Sequence, residues 1–198
     1  IIKEGLRRMY ENNEDVFYYL TLYNENYPMP SLPNNCEEGI IKGIYKFKSK
    51  NKPKIRLIGS GPIMQQVLKA EEILANEGIS CEIWSATSFG GLRRDALECD
   101  RWNMMNPTKK QKVPYISKVM GKSNLITIAA TDHMKAIPDM IKSWMPGKYI
   151  TLGTDGFGRS DTRENLRKFF EIDAEHIAAA AISTMLTERI LTKAKAET

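Results

Sequence analysis

The sequence predicts an α/β protein whose mainly parallel sheet is covered by helices on both faces. Short apolar and β-branched runs alternate with longer stretches in which apolar residues recur at helical spacing. This alternation is typical of a parallel sheet that is buried on both sides. A polar stretch at 48–54, "KSKNKPK", separates the alternating pattern from a different one before it. We expect 55–198 to form one domain, 1–47 to be the tail of a second α/β domain, and 48–54 to be the linker.

Before the linker, the pattern predicts a helix, a strand and a second helix. Residues 1–11 have helical spacing, and the continuous apolar run "VFYYLTLY" at 16–23 is typical of a buried strand. Three prolines within the next ten residues exclude regular structure there. A short helix is then expected to begin at Asn35, because Glu38 follows at the spacing of a capping box.

After the linker, strands and helices alternate. Strands are expected at 55–61, 79–89, 124–131 and 149–154, and helices at 62–77, 92–102, 113–120, 133–145, 161–170 and 174–192. Pro138 is expected to kink or split the helix that contains it.

Composition excludes several classes of function. The net charge is +5 and the pI about 9.0, which alone is compatible with a nucleic-acid partner. The basic residues are scattered, however, and the clusters at 46–54 and 109–112 have few aromatic or glycine neighbours. Such clusters are typical of solvated surface, and we predict no nucleic-acid partner.

Three widely spaced cysteines argue against a disulfide framework or a zinc site and favour a reducing cytoplasm. No apolar run approaches the roughly 20 residues that span a bilayer, so we predict no membrane partner and a cytoplasmic location. The sequence begins inside an amphipathic pattern without a methionine. We therefore expect it to be part of a longer protein.

The stretch "GSGPIM" at 59–64 invites comparison with a dinucleotide fingerprint, because it follows a strand and opens a helix. Met64 occupies the place of the third glycine, and Glu82 falls at the start of the second strand rather than at its end. A tight strand–helix turn is the favoured interpretation. A nucleotide site using Gly59 and Gly61 remains the weaker alternative.

Neither histidine has the neighbours that a metal site needs. His133 follows a predicted parallel strand, at the edge where open α/β sheets bind ligands, but a residue at a helix start without a catalytic role is favoured. His176 is interpreted as an ordinary helix residue. No metal site and no complete catalytic set are therefore predicted from the residues alone.

Glu25, in "NENYPMP", follows the predicted strand at its carboxyl end, where parallel sheets present ligand-facing groups. A carboxylate between two asparagines can be oriented by hydrogen bonds and act as an acid, a base or a pyrimidine partner. The alternative is asparagine turn chemistry before a proline-rich segment.

The stretch "LGTDGFGRSDTRENLRKFF" at 152–170 combines glycines, aspartates and arginines in one turn. Its spacing differs from that of a calcium-binding EF-hand loop. Asp161 and Glu164 have the spacing of a capping box for the following helix, and the glycines permit a sharp connection. We interpret most of this stretch as a structural joint between a strand and a helix.

The same joint, extended to "LGTDGFGRSDTRENLRKFFEID", resembles an element in the last domain of transketolase-like, thiamine-diphosphate-dependent enzymes. Five further stretches resemble, in the same order, parts of homodimeric bacterial pyruvate dehydrogenases, the decarboxylating first components of their complex. They are "YYLTLYNENYPMP", "EEGIIKGIYK", "LIGSGPI", "SATSFGGLRRDALECDRWN" and "VPYISKVM". The resemblance covers about residues 1–185. Each motif alone is weak, but the ordered set is specific.

The resemblance implies an enzyme with three domains per chain. Residues 1–47 would end its central pyrimidine-binding domain, and 55–198 would form its carboxyl-terminal domain. The complete protein would decarboxylate pyruvate with thiamine diphosphate and Mg²⁺ and reductively acetylate a lipoyl group on a dihydrolipoyl acetyltransferase. It would be a homodimer that holds the cofactor between its subunits.

The resemblance also implies that the cofactor-binding groups and the acetyltransferase contact lie outside these residues. This chain alone is therefore expected to bind neither thiamine diphosphate nor a metal and to be inactive. The family places residues after its "NENY" element near the thiazolium and the substrate, so Glu25, Asn26 and Tyr27 are the candidates for the edge of the pocket. Some relatives carry histidine where Pro28 stands, and no catalytic residue is assigned within 54–198. The alternative function is a stand-alone α/β binding or assembly domain without catalysis.

Overall fold

A computed structural model describes residues 1–191 of the chain. The strands are β1 (Ile44–Ser49), β2 (Ile55–Ser60), β3 (Cys81–Ala86), β4 (Ile126–Ala130) and β5 (Tyr149–Leu152). The helices are α1 (Ile2–Leu6), α2 (Glu37–Lys42), α3 (Met64–Asn76), α4 (Phe89–Met105), α5 (Tyr115–Met120), α6 (Ala136–Asp139), α7 (Arg163–Phe169) and α8 (Ala174–Thr187). A π-helical turn at Arg7–Glu11 continues α1, and 3₁₀ turns lie at Gly61–Ile63 and Lys142–Trp144.

The five strands form one sheet in the order β1-β3-β2-β4-β5. β1 is antiparallel to β3, and the other neighbours are parallel. From central β2 the chain crosses to β3 on one side and later returns to β4 on the other. The strand order therefore reverses between β2 and β4, which is where open α/β sheets form a crevice outside the carboxyl ends of their strands.

The sheet is buried on both faces, and this explains the near-continuous apolar runs of its central strands. On one face, Leu57 of β2 and Ile128 of β4 pack with α3 and α8 in a cluster that includes Val67 and Ile177. On the other, Ile58 belongs to a second cluster with residues of α4 and α5. The predicted α/β class with helices on both faces is thus confirmed.

Most predicted elements after the linker are confirmed with shorter bounds. The helix predicted at 133–145 is split into α6 and a 3₁₀ turn. Pro138 lies in the first turn of α6, where a helix has no use for its missing N–H. α8 ends at Thr187, before the predicted end at 192. Residues 192–198 of the predicted domain lie outside the described residues.

The predicted strand at 16–23 is wrong. These residues form no strand and lie outside the sheet, and Phe17 is 89% exposed. A strand needs a neighbouring strand for its backbone hydrogen bonds, and within the described chain this run has none. An apolar run identifies a segment that tends to be buried, but it does not identify the partner that buries it.

A second difference lies at the start of the basic cluster 46–54, which the sequence predicts to be solvated surface and to contain the linker 48–54. Its residues 46–49 belong to edge strand β1. Its lysines lie along the sheet edge, where Lys48 pairs with buried Glu71 at 2.7 Å. Lysine is a common residue on exposed edge strands because it discourages pairing with other chains. The division into 1–47, 48–54 and 55–198 stays a prediction, but β1 belongs to the same sheet as the strands after the linker.

The second predicted helix also begins later than expected. α2 starts at Glu37, and Asn35 adopts a left-handed conformation with φ 58° before it. No side-chain capping bond is present at its start.

Candidate functional site

The candidate site lies at the carboxyl edge of the sheet, beside the point where the strand order reverses. Ser60 ends β2, and its hydroxyl donates a hydrogen bond to Oγ1 of Thr131, just after β4, at 2.8 Å. Gly61 follows with φ +53°, and a Cβ there would lie 2.9 Å from the phenol oxygen of Tyr23. Tyr23, which belongs to the irregular segment before the domain, therefore lies in this crevice.

Tyr23 donates a hydrogen bond from its hydroxyl to Oδ1 of Asp132, at 3.2 Å. Tyr23 is 38% exposed, so its phenol is only partly buried. This partial burial and the nearby charge of Asp132 raise the pKa of Tyr23 to about 12, because both disfavour a phenolate. Asp132 follows β4, and its backbone is fixed by a second hydrogen bond. The hydroxyl of Thr154, which follows β5, donates to the Asp132 carbonyl at 2.9 Å.

Two arginines of α7 hold the next residues of the segment. Nη2 of Arg163 donates to Oδ1 of Asn24 at 3.0 Å, and its Nε forms an ion pair with Oε2 of Glu25. One turn later, Nη2 of Arg167 donates to the hydroxyl of Tyr27 at 3.1 Å, and its guanidinium lies 5.8 Å from the centre of the Tyr27 ring. The segment is thus anchored by charge, hydrogen bonding and a cation–π contact.

Two further contacts complete the attachment. The hydroxyl of Tyr27 donates to Oε2 of Glu25 at 3.0 Å, and Nε2 of Gln65 donates to the Pro28 carbonyl at 2.5 Å. A cleft of about 260 Å³ lies beside this attachment, and its walls include Asp132, Arg163 and Arg167.

The predicted site residues are brought to this edge. Glu25 and Tyr27 contact each other and the arginines. Glu25 and Asn26 are both exposed, and Tyr27 is half-buried. Their role at a substrate pocket stays a prediction. Sequence reasoning missed Arg163 and Arg167, although their spacing of four residues placed them on one face of the predicted helix.

The stretch at 152–170 is a joint that also positions this site. Gly153 lets β5 approach the loop after β4, because a Cβ would lie 2.5 Å from the His133 carbonyl. Asp155 accepts a hydrogen bond from the Lys135 backbone at 2.8 Å. The predicted cap Asp161 is off by one residue: Thr162 is the N-cap of α7 and accepts from the Asn165 backbone.

The remaining candidates have structural roles in the described residues. A Cβ on Gly59 would lie 2.9 Å from Cα of Met64, so this glycine permits the close strand–helix packing. Glu82, the candidate ribose partner, is buried against Arg56 instead. His133 is exposed in the loop after β4, and His176 lies in α8 beside the helix cap Asp173.

Within residues 1–191, no three His, Cys, Asp or Glu side chains come together in a way that could hold a metal ion. Among the helices of the same part of the chain, none has both the length and the apolar composition of a membrane span.

Fold and site together define an α/β domain that anchors a preceding segment at the carboxyl edge of its sheet. The model of the family described as "Transketolase-like TK C-terminal domain" matches residues 43–173. The chain belongs to this family.

Two bacterial relatives extend the similarity beyond that domain. The pyruvate dehydrogenase E1 component of Escherichia coli (strain K12) is 47% identical over 190 residues, which are 93% of this chain and 21% of the relative. The protein of the same name from Haemophilus influenzae is 46% identical over 195 residues, which are 95% of this chain and 22% of the relative. The chain thus spans about a fifth of the length of these relatives.

Solved transketolases share the fold. A Pichia stipitis transketolase, in complex with sedoheptulose 7-phosphate, matches 81% of this chain with a TM-score of 0.57 and 21% identity, over 20% of its own chain. The transketolase of Campylobacter jejuni matches 79% of this chain with a TM-score of 0.52 and 15% identity, over 20% of its own chain.

Proposed function

We propose that this chain is the carboxyl-terminal part of a pyruvate dehydrogenase that works as the first component of its complex. The complete protein would release CO₂ from pyruvate and transfer the remaining acetyl group, with reduction of the lipoyl disulfide, to a dihydrolipoyl acetyltransferase. The observation that supports this most strongly is 47% identity, over 93% of this chain, to a protein named pyruvate dehydrogenase E1 component.

Within that enzyme, the proposed task of these residues is to brace the segment that carries Glu25, Asn26 and Tyr27. The support is the set of side-chain contacts from Asp132, Arg163 and Arg167 to this segment. Residues 1–47 would belong to the central domain and 55–198 to the carboxyl-terminal domain. A brace of this kind needs no catalytic group of its own.

The cofactors would be thiamine diphosphate, which supplies a carbanion for decarboxylation, and Mg²⁺, which holds its diphosphate. We assign neither cofactor to residues of this chain, since the resemblance places the groups that hold them in the rest of the complete protein. A homodimer in the cytoplasm and a contact with the acetyltransferase outside these residues complete the proposal.

The test uses the complete protein and this chain side by side. With thiamine diphosphate and Mg²⁺, the complete protein should release CO₂ from pyruvate, and omission of thiamine diphosphate should abolish the reaction. This chain alone should show no turnover and no saturable calorimetric binding of thiamine diphosphate in the micromolar range. A complete protein that decarboxylates no 2-oxo acid would contradict the proposed reaction. Micromolar binding by this chain would contradict its assignment as a brace.

The length of the native reading frame tests the alternative, a stand-alone binding or assembly domain. A frame that extends hundreds of residues upstream of Ile1 supports the enzyme. A start codon next to Ile1 supports the separate domain.

A further inference from the structure

The segment 23–28 is held at the sheet edge by side chains. In the described part of the chain it makes no backbone-to-backbone hydrogen bond with a strand or helix. Its contacts to the domain come instead from Tyr23, Asn24, Glu25 and Tyr27, together with the Pro28 carbonyl. Its position therefore depends on a few identifiable groups.

The segment occupies the place where an open α/β sheet ordinarily receives a ligand. Tyr23 reaches the crevice between β2 and β4, against Gly61 and Asp132. The carboxylate of Glu25 then meets the guanidinium of Arg163, as an anionic ligand would. The chain thus places its own residues in that crevice.

Arg163 makes the largest number of these contacts. Its guanidinium reaches Asn24, Glu25 and, at 3.5 Å, the hydroxyl of Tyr27. A planar guanidinium can donate along several fixed directions at once, whereas a lysine ammonium acts as a compact point charge. Lysine could therefore keep the ion pair with Glu25 but could not keep all three contacts.

We propose that Arg163 is a positioning residue that fixes Glu25 and Tyr27 at the edge of the pyruvate pocket. This inference rests on the proposed function. Arg163 does not touch the reacting atoms in this proposal; it acts through the segment. Asn26, between the two anchored residues, is left exposed and available to face the pocket.

The ion pair is suited to a positional test because it contributes little to stability. The side chains of Arg163 and Glu25 are 46% and 42% exposed, and exposed ion pairs have small measured effects on folding. Replacement of Arg163 should therefore leave the thermal unfolding midpoint almost unchanged. An effect on catalysis would then report position and not loss of fold.

Arg159 provides a matched control. It lies in the wall of the same cleft, but its guanidinium stacks on Phe169, 4.1 Å from the ring centre. Within residues 1–191 it makes no hydrogen bond or ion pair with segment 23–28. Arg159→Met removes the same charge from the cleft and keeps the attachment.

The experiment compares Arg163→Met, Arg163→Lys and Arg159→Met in the complete protein. The first readout is the rate of limited chymotryptic cleavage after Tyr23, which requires the segment to leave the sheet edge. Arg163→Met should speed this cleavage by about threefold or more, because local opening becomes easier, while Arg159→Met should not. The second readout is the kinetics of pyruvate decarboxylation.

Arg163→Met should lower kcat by about 10-fold to 100-fold, since small displacements near a reacting centre have effects of that size. KM should change less than kcat, and Arg163→Lys should recover part of the loss. Unchanged cleavage in Arg163→Met would overturn the proposed contact. Faster cleavage with wild-type kinetics, or an equal kinetic loss in Arg159→Met, would overturn the positioning role.

These outcomes are separate from a failure of the proposed function. If the unmodified complete protein decarboxylates no 2-oxo acid, the proposed function and the catalytic role of Arg163 are both overturned. The cleavage readout would still decide whether Arg163 holds the segment.

Discussion

Nε of Arg56 lies 2.5 Å from Oε1 of Glu82 inside the sheet, where Arg56 is only 2% exposed. The two residues are register partners on parallel strands β2 and β3. Trp84 also donates to Oε1 of Glu82, at 3.1 Å, and Lys46 approaches the other carboxylate oxygen at 3.3 Å. Glu82 is therefore a buried acceptor whose partners come from two neighbouring strands and from its own.

We predict that removing one partner of this pair is worse than removing both. Arg56→Met leaves the buried Glu82 carboxylate without its guanidinium, and such a loss costs about 3–5 kcal/mol. The double variant Arg56→Met, Glu82→Leu replaces both charges by apolar groups and should be less destabilised than the single variant. Urea unfolding measures both free energies. A double variant no more stable than Arg56→Met would contradict the prediction.

The same pair predicts a dependence of stability on pH. Burial alone would raise the pKa of Glu82, but the charge and hydrogen bond of Arg56, with Trp84 and Lys46, outweigh it and lower this pKa below the ordinary 4.5. A carboxyl group with a lowered pKa in the folded state stabilises the fold above its unfolded pKa. That contribution is lost as the pH falls through the folded value.

The stability difference between the wild type and Glu82→Gln should therefore be constant above about pH 5 and shrink below the ordinary pKa near 4.5. Urea unfolding at a series of pH values measures it. The exposed Glu164 supplies the control through Glu164→Gln. A difference that grows as the pH falls would show that Glu82 is not stabilised in its charged form.

A further prediction concerns Gly59, where sequence reasoning had to choose between a nucleotide turn and a packing constraint. A Cβ there would lie 2.9 Å from Cα of Met64 and 3.1 Å from Cγ2 of Val67. Gly59→Ala should therefore destabilise the fold by about 1–3 kcal/mol, as overpacking does. Gly158→Ala, where a Cβ meets nothing within 4 Å, should change stability by less than about 1 kcal/mol.

Chemical denaturation measures both glycine variants. Calorimetry with NAD and ATP completes the test, and we expect no heat of binding. Equal stabilities of Gly59→Ala and the wild type, or saturable nucleotide binding, would favour the nucleotide interpretation.

The central strands were predictable because the apolar composition of each strand's own residues indicates that the strand is buried. Apolar runs such as 55–61 and 124–131, each followed by glycine or a polar turn, predict a strand without any knowledge of the strand that pairs with it. The run at 16–23 has the same local pattern but finds no strand in the described chain. β1 was missed because its lysines suit an exposed edge, and their ion pairs with Glu71 and Glu82 are not visible in sequence.

The candidate site was predictable only in part for a related reason. Glu25 and Tyr27 stand out because they follow an apolar run and precede prolines. Arg163 does not stand out, because its partner Asn24 is 139 residues away in sequence. Helical spacing places Arg163 and Arg167 on one face of the helix. Only the topology of the sheet determines which residues that face contacts.

The last prediction concerns Tyr23, whose pKa is raised to about 12 by burial and by the charge of Asp132. An ordinary tyrosine ionises near pH 10. The ultraviolet difference between the wild type and Tyr23→Phe should therefore show one phenol that ionises near pH 12. Asp132→Asn removes the second cause and leaves burial, so it should move this ionisation part of the way back towards 10.

Asp155→Asn is the matched control, because Asp155 lies at the same edge and bonds to Lys135, not to Tyr23. It should leave the ionisation of Tyr23 unchanged. Circular dichroism at each pH restricts the comparison to folded protein, since unfolding would release Tyr23 to its ordinary pKa. A difference spectrum centred near pH 10 in folded wild type would show that neither burial nor Asp132 disfavours the Tyr23 phenolate. The hydrogen bond from Tyr23 to Asp132 would then contribute nothing measurable to the attachment of segment 23–28.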